Sequence, residues 1–222
     1  MAATGAALGT VLSQTASVIM AFAVIRKKKE FALHLTGRDL RPERETLGKI
    51  LKIGVPVACQ DGFIQISFIL ITVIANQRGV VAAAGVGIVE KVISFLFLVP
   101  SAMLSSISAI AAQNVGAGKH ERAEKTLGYG LLISVSFGIV AALACNLAPE
   151  MILGLFSKEK DIIFMGSQYL KAYALDCAIA GVYFCFSGYF CAYGKSTVSF
   201  LHNLISMAAV RVPGAYLAAV YF

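Results

Sequence analysis

The sequence predicts an all-α membrane protein, a polytopic bundle of about six transmembrane helices. Of its 222 residues, 58% are hydrophobic and 14% are charged, and the mean hydropathy is +0.78. A soluble domain carries about 25% charged residues. The charges here are concentrated in short segments between long apolar runs; residues 92–118, for example, contain none. Because about 20 apolar residues form a helix long enough to cross a bilayer, these runs predict membrane spans.

The basic residues predict one orientation in the membrane. Nine of the nineteen Lys and Arg residues lie in segment 26–52, and the later loops carry one, three, two and one. The pair at 158 and 160 is offset by two neighbouring acids. Since cytoplasmic loops are rich in Lys and Arg, segment 26–52 is expected inside and the N-terminus outside, in a multi-pass protein of the cell membrane. These loops account for the net charge of +7, so nucleic acid is not an expected partner.

The first uncharged run covers residues 1–25 and is followed at once by four basic residues. A signal peptide carries its positive charges before the apolar region, so this arrangement predicts a transmembrane helix instead. The basic loop that follows is expected to include a short amphipathic helix, with Pro42 in its first turn and Glu45 paired with Lys49. The next crossing is then predicted to begin near residue 53.

One carboxylate interrupts the apolar run 53–77, that of Asp61. At about 100° per residue, Gln65, Thr72 and Asn76 fall on the same face of this helix. A carboxylate with an amide one turn away can bind a cation, a proton or an organic amine. Alternatively, Asp61 lies close enough to the membrane surface to be hydrated.

A second acid, Glu90, lies in the helix predicted for residues 80–112. If that helix begins at Val80, Glu90 is about 15 Å along its axis, near the middle of the membrane. Charged residues at this depth usually face the bundle interior or a water-filled cavity. Four serines extend the same face: Ser94, Ser101, Ser105 and Ser108. In the alternative interpretation, the serines bond the carbonyl one turn back and Glu90 pairs or snorkels. Pro100 is expected to kink this helix.

The third acid, Asp176, belongs to the helix predicted for residues 168–193. It follows a crossing at 126–149, in which Gly128, Gly130 and Gly138 are expected at close helix contacts. Asp176 shares a face with four other side chains, Tyr169, Tyr173, Tyr183 and Ser187. Tyrosines around a carboxylate can hold a lipophilic cation. Tyrosine is equally common as an anchor at the membrane interface.

The last run, residues 197–222, contains Arg211 and Pro213. An arginine within the membrane is expected to pair with an acid or line a cavity; alternatively, it bonds carbonyls that Pro213 leaves free. Just before this run, Gly194-Lys195-Ser196 has the ending of a P-loop, but the spacing from Gly188 is one residue too long and no strand precedes it. It is therefore predicted to be a cytoplasmic turn.

The remaining residue types indicate neither an enzyme nor a resident cofactor. The five cysteines show no C-x-x-C spacing and all lie in apolar runs, so they are expected as small buried side chains. The three histidines are scattered, which gives no metal site. No nucleophile, base and orienting group are brought together by the pattern.

Several short motifs resemble the multidrug and toxic compound extrusion (MATE) family. Gln113-Asn114-Val115-Gly116-Ala117-Gly118-Lys119 resembles the loop after the second helix of that family's C-terminal lobe. Further similarities are found at Ile53-Gly54-Val55-Pro56, Leu155-Phe156, Tyr169-Leu170 and Arg211-Val212-Pro213. The resemblance implies that residues 1–25 are the last helix of an N-terminal lobe and that 26–52 form a linking loop. Residues 53–222 would then be a C-terminal lobe of five helices without its final helix, and the rest of the N-terminal lobe would be missing.

The resemblance also implies a function. Members of the family are antiporters in which Na⁺ or H⁺ entry drives the export of amphipathic, often cationic, small molecules by alternating access across the bilayer. The side chains expected to bind cation or cargo are Asp61, Gln65, Glu90, Asp176, Tyr183 and Arg211. The alternatives are a flippase of related fold for lipid-linked sugars, or an inactive truncated membrane fragment. Three intramembrane acids against Lys91 and Arg211 favour cationic cargo.

Overall fold

The structure, a computed structural model, describes residues 2–27, 43–77, 79–211 and 213, and over these ranges the chain is helical with short connecting turns. The helices are α1 (Ala2–Lys27), α2 (Arg44–Gln77), α3 (Val80–Leu96), α4 (Leu98–Gly116), α5 (His120–Leu147), α6 (Pro149–Gly154), α7 (Lys160–Ala192) and α8 (Ser196–Ser206), followed by a π-helical turn, Met207–Arg211. The prediction of an all-α membrane bundle is confirmed.

Four helical segments are long and apolar enough to cross a bilayer: Ala7–Ile25, Arg44–Gln77, Val80–Gly116 and His120–Leu147. A fifth is formed by the two halves of α7, Lys160–Ala174 and Asp176–Ala192, which are bent by 42° relative to each other. The predicted crossing at 197–222 extends over residues 212 and 214–222, which lie outside the described ranges. Its described part is α8 and the π-helical turn.

The chain divides into two units, residues 1–47 and 48–222. In the first unit, α1 exposes its large apolar side chains over its whole length; Leu12, for example, is 67% exposed. Such a surface is stable in lipid rather than in water.

In the second unit, α7 is the central helix and packs against α3, α4, α5, α6 and α8. One buried cluster joins α3 to the first half of α7 through Val89, Val92 and Leu170. A second joins α4 to the later half through Ile107 and Cys185. Helices in lipid associate by close packing, and glycines make the closest contacts possible.

Two glycines mark these close contacts. A Cβ atom at Gly138 would lie 2.5 Å from the Cα of Ala178, and one at Gly188 would lie 2.5 Å from the carbonyl oxygen of Leu104. α5 and α4 can therefore approach α7 this closely only because Gly138 and Gly188 have no side chain. Gly130 also faces a neighbour, but Gly128 has open space around it, so the prediction of a close contact at Gly128 is wrong.

The start of α2 differs from the prediction. Residues 28–42, including Pro42, lie outside the described ranges, and α2 runs without a break from Arg44 to Gln77. The short amphipathic helix and the first crossing of the second unit are thus one helix, with Pro56 inside it. Pro56 lacks the N–H that would bond the carbonyl of Lys52. The hydroxyl of Ser196, at the start of α8, donates to that carbonyl instead, at 3.3 Å.

At Pro100, too, a side chain of another helix bonds the carbonyl that the proline leaves free, but here the helix is interrupted. It lies in the first turn of α4, and the helix is interrupted three residues earlier, at Phe97, whose backbone has φ −79° and ψ −5°. Pro100 leaves the carbonyl of Leu96 without its helical donor. The thiol of Cys177 on α7 lies 3.9 Å from that oxygen and is its donor. The expected kink is therefore a local interruption, and α3 and α4 continue as one span.

The turns after α4 and α7 have the same geometry. Gly118 and Gly194 adopt positive φ angles of 71° and 69°. In each turn, the N–H of the following lysine donates to a carbonyl five residues earlier, from Lys119 to Asn114 and from Lys195 to Phe190. This pattern is the Schellman ending of a helix, which favours glycine at the left-handed position. The Gly-Lys-Ser segment is thus a helix-ending turn, and a phosphate-binding loop is not formed.

Candidate functional site

A cavity of about 530 Å³ lies along one face of α7. The opposite walls come from α2, from the interruption between α3 and α4, and from the end of α8. Its aromatic lining residues are Phe68, Phe97, Tyr169, Tyr173, Tyr183 and Phe184, and its polar ones include Asp176 and Asn203. Asp176 is the one acid among the described lining residues, and no Lys or Arg is found among them.

The α7 wall contains the face that the sequence singled out. Tyr169, Tyr173, Asp176 and Tyr183 all line the cavity. The bend in α7 falls between Ala174 and Asp176, so the carboxylate lies at the point where the helix changes direction. Ser187, predicted on the same face, is buried beyond the cavity.

The aromatic rings around Asp176 are in contact with one another. The ring centroids of Tyr169 and Tyr173 are 5.8 Å apart, and those of Phe97 and Tyr173 are 6.3 Å apart. Phe184 meets Phe97 edge-on at 5.9 Å. Aromatic faces attract cations, and a carboxylate among them supplies the counter-charge. The cavity therefore offers an apolar, cation-attracting surface with one negative group.

A buried polar cluster, formed by Gln60, Ser187 and Ser199, connects α2, α7 and α8. The hydroxyl of Ser199 donates to the side-chain oxygen of Gln60 at 3.0 Å, and the hydroxyls of Ser187 and Ser199 are hydrogen-bonded to each other. Burying three polar side chains is stable because they bond one another. The sequence did not identify Gln60 or Ser199. Gln60 precedes Asp61 and so lies about 100° away from the polar face predicted for that helix.

Tyr183 lies between the cavity and this polar cluster. Its ring stacks on His202 of α8, with centroids 5.3 Å apart. Its hydroxyl is buried and lies near the hydroxyls of Ser187 and Ser199, without a hydrogen bond of ordinary geometry to a described residue. The carboxylate of Asp61, itself exposed, is within electrostatic range of that hydroxyl. Asp61 follows Gln60 in the chain, is exposed, and lies outside the cavity lining.

Glu90 is placed differently from the other two acids. It is half-buried, and one of its carboxylate oxygens accepts a hydrogen bond from Thr72 of α2 at 2.9 Å. Two polar faces predicted separately, on α2 and on α3, therefore meet here. Ser94 and Ser105 donate to the carbonyls of Glu90 and Ser101, each one turn back. This is the local bonding that the alternative interpretation expects for the serines.

The two remaining candidates do not belong to the described cavity wall. Gln65 is exposed on α2 and is not among the lining residues. Arg211 ends the π-helical turn, and its side chain lies outside what the structure describes. Of the six candidates, the cavity thus brings together Asp176 and Tyr183.

Comparison with known proteins shows which family this chain resembles. The family model MatE matches residues 56–217. The chain is 24% identical over 220 residues to a probable multidrug resistance protein, YoeA, of Bacillus subtilis, covering 98% of this chain and 47% of that protein. It is 28% identical over 213 residues to a second one from the same organism, YpnP, covering 96% and 47%. The multidrug export protein MepA of Staphylococcus aureus is 24% identical over 218 residues, covering 98% and 48%. The chain thus spans about half the length of these curated relatives.

Proposed function

Because the chain belongs to the MatE family, we propose that it forms part of an exporter of amphipathic cationic compounds, driven by the entry of Na⁺ or H⁺. The observation that carries the proposal is the cavity, where the carboxylate of Asp176 lies among six aromatic side chains. The names of the relatives, multidrug resistance and multidrug export proteins, support the same function.

The cargo is proposed to lie against α7. Its cation is held by the carboxylate of Asp176 and by the faces of Tyr173 and Phe97. Its apolar body fills the space towards Phe68 and Ile71 of α2. A lipid-linked sugar would bring a pyrophosphate, which requires basic residues. The described lining offers an acid, so it favours cationic cargo over that alternative.

The coupling ion is proposed to bind at Asp61, the residue that follows Gln60 of the buried polar cluster. Carboxylate, amide and hydroxyl oxygens are suitable ligands for Na⁺, and a carboxylate is equally a proton acceptor. Either ion neutralises Asp61 and shifts the balance of outward- and inward-open states by its differential affinity for them. The membrane potential supplies about 2.3 kcal/mol per charge per 100 mV. Tyr183 is the connection between this site and the cavity.

The complete transporter is proposed to contain an N-terminal lobe as well. The curated relatives are about twice the length of this chain, so the described unit corresponds to part of one exporter. The proposed location of the transporter is the cell membrane, with segment 26–52 in the cytoplasm. An inactive fragment is the competing possibility, and transport by the complete protein decides between them.

Selectivity for charge tests the cargo site. Purified protein in detergent is titrated into rhodamine 6G, a planar cation, and into fluorescein, an anion of similar shape, and binding is followed by fluorescence anisotropy. One carboxylate contact is worth at least about 1.4 kcal/mol, so we expect at least about tenfold tighter binding of the cation. The preference should persist in Asp161→Asn, which removes an acid at the start of α7, away from the cavity. Equal affinity for the two dyes would contradict the proposed cargo.

A further inference from the structure

We propose that Phe97 and Cys177 form a joint that links cargo in the cavity to the conformation of the α3–α4 span. The inference rests on the proposed cargo site and assigns roles to two residues that carry no charge. Three independent features of the structure support it.

The first feature is the interruption itself. Pro100 is fully buried and cannot donate to the carbonyl of Leu96, so that carbonyl takes its donor from outside the helix. That donor is the thiol of Cys177, which donates weakly, at 3.9 Å. At Pro56 the corresponding carbonyl is bonded by a hydroxyl at 3.3 Å, and the helix is continuous. The weaker bond and the broken helix occur together, which makes the α3–α4 junction the easier one to change.

The second feature is the position of Phe97. It is the residue at the interruption, and its ring is part of the cavity wall, against Tyr173 and Phe184. A molecule in the cavity therefore touches the residue whose backbone departs from the helix. No other described lining residue lies at the α3–α4 junction.

The third feature is the bend of 42° in α7 between Ala174 and Asp176. Cys177 follows directly and is 1% exposed, while Asp176 lines the cavity. The neighbouring residues Asp176 and Cys177 thus face the proposed cargo and the freed carbonyl of Leu96, respectively. A change at either bend is transmitted to the other through the bond between Cys177 and Leu96.

These features assign a direction to the coupling. Cargo held between Asp176 and Phe97 keeps the ring packed and the junction closed, with the Cys177 thiol covered. In the empty cavity, Phe97 can leave its place, the weak bond opens, and the thiol is exposed more often. Occupancy of the cavity thereby controls the conformation of the α3–α4 span.

Protection of Cys177 tests the joint. The purified protein is treated with N-ethylmaleimide with and without saturating rhodamine 6G, and peptide mass spectrometry follows each cysteine. Cargo should slow modification of Cys177 at least fivefold. It should leave unchanged the rate at Cys185, which is equally buried on α7 but packs against Ile107 of α4, away from the junction.

Two variants test whether the protection of Cys177 requires the ring of Phe97 or only the presence of dye in the cavity. Phe97→Leu is expected to bind rhodamine 6G more weakly and, at dye concentrations raised until anisotropy shows full occupancy, to lose the protection of Cys177, because the ring at the junction is gone. Phe68→Leu, which changes a cavity ring on α2 away from the junction, should keep the protection of Cys177 when it is compared at the same full occupancy. Bound dye with an unchanged rate at Cys177, or full protection in Phe97→Leu, would overturn the joint and leave the cargo site standing. Absence of dye binding would overturn both.

Discussion

Replacing Asp176 with Asn is expected to weaken binding of rhodamine 6G at least about tenfold and to abolish its export. Asn preserves the shape of the side chain and its place at the bend of α7, so only the negative charge is lost. Without it, a cation leaving water gains just the contacts with the aromatic wall, which are worth about 0.5–2 kcal/mol each. Export is measured as the loss of dye from preloaded cells that lack their own drug exporters.

Two further variants control this experiment. Asp176→Glu retains the charge and should recover part of the export, whereas Asp161→Asn should match the unaltered protein. If Asp176→Asn exports the dye at the normal rate while present in the membrane at the normal level, the proposed cargo site is wrong.

A small change at Gly138 is expected to destabilise the bundle by up to about 3 kcal/mol, the range for inserting atoms into a packed core. In Gly138→Ala, the new methyl group would lie 2.5 Å from the Cα of Ala178, which is backbone and cannot rotate away. α5 and α7 must therefore separate along their shared surface. The measurement is the midpoint of thermal unfolding in detergent, followed by loss of the monodisperse peak in size-exclusion chromatography.

Gly128→Ala is the matched control on the same helix. Nothing lies within 4 Å of a Cβ atom there, and Ala is the better helix former, so stability should be equal or slightly higher. Equal midpoints for Gly138→Ala and the unaltered protein would show that α5 and α7 are not packed as described.

The sequence was most informative about the structural features that depend on one helix alone. Composition was sufficient for the five membrane spans found among the described residues, with the two halves of α7 counted as one. The 3.6-residue period was sufficient to place Tyr169, Tyr173, Asp176 and Tyr183 on one face, because this requires no knowledge of neighbouring helices. All four side chains do line one cavity.

What depends on the packing of several helices could not be predicted in the same way. The contact of Thr72 with Glu90 and the cluster of Gln60 with Ser199 each join residues from different helices. A helical period says which side chains share a face and nothing about what that face meets. Ser199 in particular carries no signal, since serine is ordinary in a membrane helix.

The prolines show the same limit. Pro56 and Pro100 each remove one helical donor, and the sequence predicts a kink only for Pro100, because Pro56 is expected near the start of its crossing. The outcome depends on the neighbour that bonds the freed carbonyl, Ser196 in one case and Cys177 in the other. The helix remains continuous beside the hydroxyl and is interrupted beside the thiol.

Transport under an imposed ion gradient tests the central proposal most directly. The polypeptide purified from its native membranes is reconstituted in vesicles, and movement of rhodamine 6G is followed under a Na⁺ gradient, a pH gradient or neither. The proposal predicts dye movement against the direction of one of the two ions, and loss of that movement in both Asp61→Asn and Asp176→Asn. Dye movement that is the same with and without a gradient, or none under either ion, would contradict cation-coupled export.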